Sequence, residues 1–190
     1  MAEGQRRLRA DAERSIRTIM EAAERLLAAN PAATIEQIAE AAGVARTTVH
    51  RRFASRDALI ASMTRDAWAQ MGAAVAAARP ATAPPLVALH QATATILEIK
   101  SRWPFALGQP SDDPSTVRHQ QEVHAGCELV LRRAQQAGLL RPDVDLDWTR
   151  RVYLALIHET INGAPASPGD PDELAARILD TLLHGAAPRP

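Results

Sequence analysis

Apolar residues recur every three to four positions along almost the whole chain, and strand-like alternation is scarce. That period admits an all-α fold. Proline and glycine cut the pattern into about nine helices. In the first helix Ile16, Ile19, Met20, Ala23, Leu26 and Leu27 make one apolar stripe. It stops near Asn30-Pro31, because proline disfavours helical backbone at the residue before it. Thr34 reads as the N-cap of a short second helix, with Gln37 as its capping-box partner and Ile35, Ile38 and Ala39 facing inward. Gly43 suits the tight turn that follows. A third short helix is expected over residues 45–53, with Val49 and Phe53 stacked one turn apart.

Ser55 caps a fourth, long helix that begins near Arg56 and fades near Arg79-Pro80. The stripe of that helix is Leu59, Ile60, Met63, Ala67 and Met71. A linker, RPATAPP, covers 79–85. Further helices are expected over 86–102, 115–136, 147–162 and 172–184. Pro104, Pro110 and Pro114 bracket a loop with a short helical turn at most. A second loop runs over 163–171, and residues from Gly185 onward are expected to fray.

The basic side chains are 21 arginines and Lys100, balanced to a net formal charge of zero. Zero net charge argues against general charge-driven binding along a polyanion, and any nucleic-acid contact must come from local clustering. A hydrophobic fraction of 46% over 190 residues is enough for a sizeable core. The single Cys127 excludes an intrachain disulfide framework and a cysteine-rich zinc site. The charged N-terminus lacks the apolar stretch of a signal peptide, and no apolar run is long enough to span a membrane. The expectation is a cytoplasmic protein without a membrane partner.

Local clustering is present. Between Glu40 and Arg56 four arginines (46, 51, 52 and 56) face one glutamate, a local charge of +3 in a neutral chain. Three short helices with a glycine turn between the second and third make the smallest unit that presents a helix to DNA. With Val49 and Phe53 turned inward, Thr47 and Arg51 point most directly outward. Thr48 and His50 lie to either side, and the long side chains of Arg46 and Arg52 reach out from the edges. An arginine near the start of such a helix can meet guanine O6 and N7 with two hydrogen bonds, and a threonine methyl can touch a thymine methyl. Hydroxyls and a flanking Arg56 suit phosphate oxygens.

The stretch TIEQIAEAAGVARTTVHRRFASRDALIASM resembles the N-terminal DNA-binding domain of the TetR family of bacterial repressors. The likeness lies in the Thr-led second helix, the IAEAAGV turn, the RTTV start of helix three, the closing Phe53 and the SRDAL entry to helix four. GLLRPDVDLDWTRRVYLALIHE also resembles C-terminal segments of that family. The resemblance implies a helix-turn-helix domain over residues 1–57, joined by a long helix to a helical ligand-binding and dimerisation domain over 58–190. It implies base contacts from Arg46 and Thr47, and backbone contacts from Thr34, Thr48, His50 and Arg56. His50 stands where the family usually has a tyrosine, Arg56 where it often has lysine, and Arg52 where histidine is common. An imidazole at position 50 would make that contact sensitive to pH.

A single reading head covers one half-site, so two are expected to meet the major groove roughly 34–36 Å apart or at a multiple of that. The interface candidates are Trp148, Val152, Leu156 and Ile161 on one helix, with Leu174, Ile178, Leu182 and Leu183 on the last. Paired with a symmetry mate they would form a four-helix bundle. The alternative is that these stripes pack only within their own subunit.

The resemblance further implies an effector pocket, for which Trp68, Met71, His90, Thr93, Leu97, Trp103, His124, Cys127 and Tyr153 are candidates. An effector would release double-stranded operator DNA by favouring the other conformation. No cofactor, metal or catalytic residue is expected. His158-Glu159 opens like a zinc-protease motif, but Asn162 stands where its second histidine must be. His124 and Cys127 share a helix face and would need a third ligand such as His119 or His90. Signature motifs for phosphate-binding loops, dinucleotide binding or a nucleophile elbow are absent. The competing reading is a helical ligand-binding or scaffold protein with a vestigial helix-turn-helix.

Overall fold

A computed structural model describes residues 2–163 and 169–185. Among the described residues there are nine helices and no strand. The helices are α1 (Ala2–Ala29), α2 (Ile35–Ala41), α3 (Arg46–Arg52), α4 (Arg56–Ala77), α5 (Pro85–Arg102), α6 (Pro104–Leu107), α7 (Pro114–Gln136), α8 (Leu146–Asn162) and α9 (Pro171–His184). The chain divides between residues 67 and 68 into two compact units, with residues 103–113 belonging to the first. Most of the 163–171 loop and the tail beyond Gly185 lie outside the described residues.

In the first unit α1 packs against α2 and α6, and α2 against α3. Ile19, Met20, Ala23 and Leu27 are buried along one side of α1, as the stripe requires. Ile38 and Ala39 of α2, Val49 and Phe53 around α3, and Leu59 and Met63 of α4 are buried as well. Ile16 and Leu26, at the margin of the α1 stripe, are half-buried. So is Val44 in the turn.

In the second unit α5 packs against α7, α8 and α9, and α8 against both α7 and α9. Its core includes Leu89, Leu97, Leu131, Tyr153, Ile157 and Leu179. A Cβ on Gly126 of α7 would run into Val75, so this glycine permits close approach to α4. The 79–85 linker is pinned: Arg133 donates to the carbonyls of Pro80 (2.7 Å) and Ala83 (2.8 Å). No described helix is long and apolar enough to cross a membrane.

Candidate nucleic-acid interface

The α2–α3 unit is built from local chemistry. Thr34 caps α2: its hydroxyl accepts from the Gln37 N–H, and the Gln37 side chain accepts from the Thr34 N–H at 2.9 Å. The end of α2 is closed by hydrogen bonds from Gly43 N–H to Glu40 and from Val44 N–H to Ala39. This closure needs Gly43 at φ +65°, where any side chain would be strained. The third helix then starts one residue inside the expected span, because Ala45 and Phe53 are its extended caps.

Val49 is fully buried, which fixes the rotation of α3. Arg46, Thr47, His50 and Arg51 are all exposed; at helical spacing Thr47 and Arg51 lie opposite Val49, and Arg46 lies at the edge of the buried face. Thr48 and Arg52 are half-buried, and the Arg52 Nε is shielded without a hydrogen-bond partner. Thr34 is exposed at the start of α2.

Two of the basic side chains already have partners. The Arg46 Nε lies 2.8 Å from a Glu36 carboxylate oxygen and 3.2 Å from the His50 Nε2, which accepts from it. Glu36, in the first turn of α2, is not among the residues that the sequence singles out. Its own backbone N–H, the Thr34 hydroxyl, and then Arg46 and His50 hold its carboxyl below the usual value.

Arg56 turns toward the α1–α2 loop. Its Nε donates to the Ala33 carbonyl at 2.9 Å, and a terminal nitrogen donates to the Pro31 carbonyl. It therefore ties that loop to the start of α4. Replacing Arg56 by alanine is expected to cost about 1–2 kcal/mol of stability without any DNA present. Urea unfolding checks this, and lysine should recover part of the loss because it can keep one of the two bonds.

The effector candidates are distributed over both units. Trp103, in the first, is buried with its indole N–H shielded and unpartnered. In the second, Thr93 and Tyr153 are fully buried and hydrogen-bonded to each other at 2.8 Å, and Thr93 also donates to the Leu89 carbonyl. Burial pushes the Tyr153 hydroxyl well above its usual value, and the Cys127 thiol up to about 11. Met71 and Leu97 are buried, His90 is half-buried, and His124 is exposed while Cys127 on the same helix is not. Trp68 is half-buried with its indole nitrogen shielded and without a partner.

A cleft of about 1260 Å³ opens among α5, α8 and α9. Of the effector candidates only Leu97 lines it. It is lined instead by interface candidates, Leu156, Ile161, Leu174 and Ile178. Trp148 is 60% exposed, with the Arg151 guanidinium 5.4 Å above its ring. Val152, Leu156, Ile161, Leu174, Leu182 and Leu183 are half-exposed, whereas Ile178 is covered within its own chain.

Residues 19–63 match the sequence profile of the family described as bacterial regulatory proteins, tetR family. The HTH-type transcriptional repressor LfrR of Mycolicibacterium smegmatis is 33% identical over 176 residues, 91% of this chain and 90% of its own. The crystal structure of LfrR in complex with proflavine is 28% identical with a TM-score of 0.66, covering 93% of this chain and 99% of that one. PfmR from Thermus thermophilus shares the fold at 22% identity and a TM-score of 0.76, over 90% of this chain and 99% of its own. The likeness to the repressor runs through α3 and both units, and the chain belongs to the TetR family of bacterial transcriptional regulators.

Proposed function

We propose that this regulator reads operator DNA through α3, with Arg46 and Thr47 on base edges and Thr34, Thr48, His50 and Arg56 on the backbone. Arg51 and Arg52 add attraction for the phosphates. The observation that carries this reading is the exposed polar and basic surface of α3 (Arg46, Thr47, His50, Arg51) around a fully buried Val49, in a chain of zero net charge. Such a surface gains little from a folded core and suits the major groove.

Two copies joined through α8 and α9 would place two such helices on one palindromic site. The exposed Trp148 and half-exposed Leu156, Leu174 and Leu182 are the apolar surface offered to a second copy. The effector is proposed to bind in the second unit beside Trp68 and Met71, where a shielded indole N–H has no protein acceptor. The mutually satisfied Thr93–Tyr153 pair serves there as wall rather than as polar contact. LfrR has been crystallised with proflavine, so that flat polycyclic cation is the first probe. Full release of DNA needs a differential affinity of about 5 kcal/mol between the two conformations.

A gel shift against DNA upstream of the protein's own coding sequence tests the reading. The expected result is a complex that survives excess competitor DNA and is dispersed by proflavine. Failure to bind at any of several salt concentrations would leave a helical ligand-binding protein with an unused helix-turn-helix.

A further inference from the structure

We infer that Glu36 is a positioning residue for Arg46, and so a determinant of base preference at the pair Arg46 reads. The inference rests on the reading of α3 as the recognition helix. Glu36 stands in the first turn of α2 and Arg46 at the first position of α3, so the pair bridges the turn between the two helices. The 2.8 Å contact is made by the Arg46 Nε, the inner nitrogen of the guanidinium. The single hydrogen on that nitrogen is directed at the His50 Nε2, with the two nitrogens 3.2 Å apart, and the Glu36 contact is an ion pair. Both contacts are therefore made at the inner end of the guanidinium.

The outer edge carries the two terminal nitrogens, which supply further donors. With Nε already engaged, that edge is the pair of donors left to meet guanine O6 and N7 together. A freely rotating arginine would instead divide its time between bases and phosphates. The carboxylate also repels phosphate, so it penalises DNA on which Arg46 finds no guanine. Glu36 thus acts on discrimination from both sides: it strengthens the right contact and weakens the wrong ones.

An exposed ion pair adds little to folding. Both side chains here are at least half exposed, at 63% and 50%, so removing the pair should leave the fold intact. A residue with a merely structural role would change specific and nonspecific binding together. A positioning residue changes them in opposite directions.

The test is selection of duplex sites from a randomised library by the full-length protein, its Glu36→Gln variant and its Arg46→Ala variant. The wild type should enrich a guanine in each half-site whose preference Arg46→Ala erases. Glu36→Gln should reduce the preference for that same guanine about fivefold and leave other positions unchanged. Its affinity for a scrambled duplex should rise about twofold, since a negative charge near the backbone is lost. In the Arg46→Ala background Glu36→Gln should no longer alter base preference. Equal changes on selected and scrambled duplex, a shift at another position, or no change at all would overturn the role of Glu36 while leaving the DNA reading in place. Enrichment of no site by the wild type would overturn both.

Discussion

Replacing Glu24 by alanine is expected to lower the unfolding free energy by about 2–4 kcal/mol at neutral pH. Glu24 is only 3% exposed, on the apolar side of α1. One carboxylate oxygen accepts from the Phe105 N–H at 2.6 Å and the other from the Ala106 N–H at 3.1 Å. These are the first N–H groups of the four-residue α6, because Pro104 has none and Trp103 offers no side-chain cap. Glu24 is therefore the cap of α6, supplied from α1. Alanine leaves two shielded donors without acceptors, each costing about 1–3 kcal/mol, offset in part by removal of a buried charge.

Glutamine keeps one acceptor and turns an amide N–H₂ toward the second donor, so it should cost less. The pH dependence has a definite sign. Burial raises the Glu24 carboxyl above its ordinary 4.5, and the two N–H groups only partly oppose this. The folded state then favours the protonated acid more than the unfolded chain does, so the pH-linked part of this group's contribution is greatest below that ordinary value. That part is lost as pH rises through the raised value, and the two N–H bonds remain. The stability of the wild type relative to Glu24→Gln should therefore fall as pH rises from about 4 toward neutrality. Urea unfolding across that range, followed by two probes because the chain forms two units, measures it. A difference that stays constant or grows with pH would contradict the account.

Arg46→Ala is expected to remove about 1–3 kcal/mol of discrimination at one base pair per half-site, roughly a fivefold to 150-fold change in preference. Arg46 is exposed at the head of α3, and its ion pair with Glu36 is at the surface, so stability without DNA should change by less than about 0.5 kcal/mol. Anisotropy titrations of the operator and of a duplex altered at that base pair separate the two quantities, provided the salt is held fixed. If affinity for both duplexes drops by the same factor, Arg46 is a phosphate contact and the assigned base contact is wrong.

Much of the fold can be read from the sequence because its signals are local. The Thr34–Gln37 capping box, the Gly43 turn and the Val49–Phe53 spacing each lie within a few residues, and each has its expected partner or burial. The helix over 104–107 is less legible, since its cap comes from Glu24, 81 and 82 positions earlier in the chain. A signal for Glu24 is present nonetheless. It lies four residues after Met20 and three before Leu27, so an acid on that stripe has to find donors. Glu36 is hard to find for a related reason: its partner Arg46 is brought near only by the turn at Gly43. For Arg56 the sequence suggests a phosphate contact, while the structure also gives it the carbonyls of Pro31 and Ala33. The effector candidates are the least legible. Polar groups on apolar helix faces look alike in sequence whether they meet a ligand or each other, as Thr93 and Tyr153 do.

If α3 reads guanine in the major groove through Arg46, methylation of guanine N7, which places a methyl group in that groove, must block binding. A methylation-interference experiment should then show an interfering guanine in each of two half-sites, with centres roughly 34–36 Å apart or at a multiple of that. One guanine per half-site should cease to interfere when Arg46 is alanine. Interference that is absent, or identical for the wild type and Arg46→Ala, would contradict that reading.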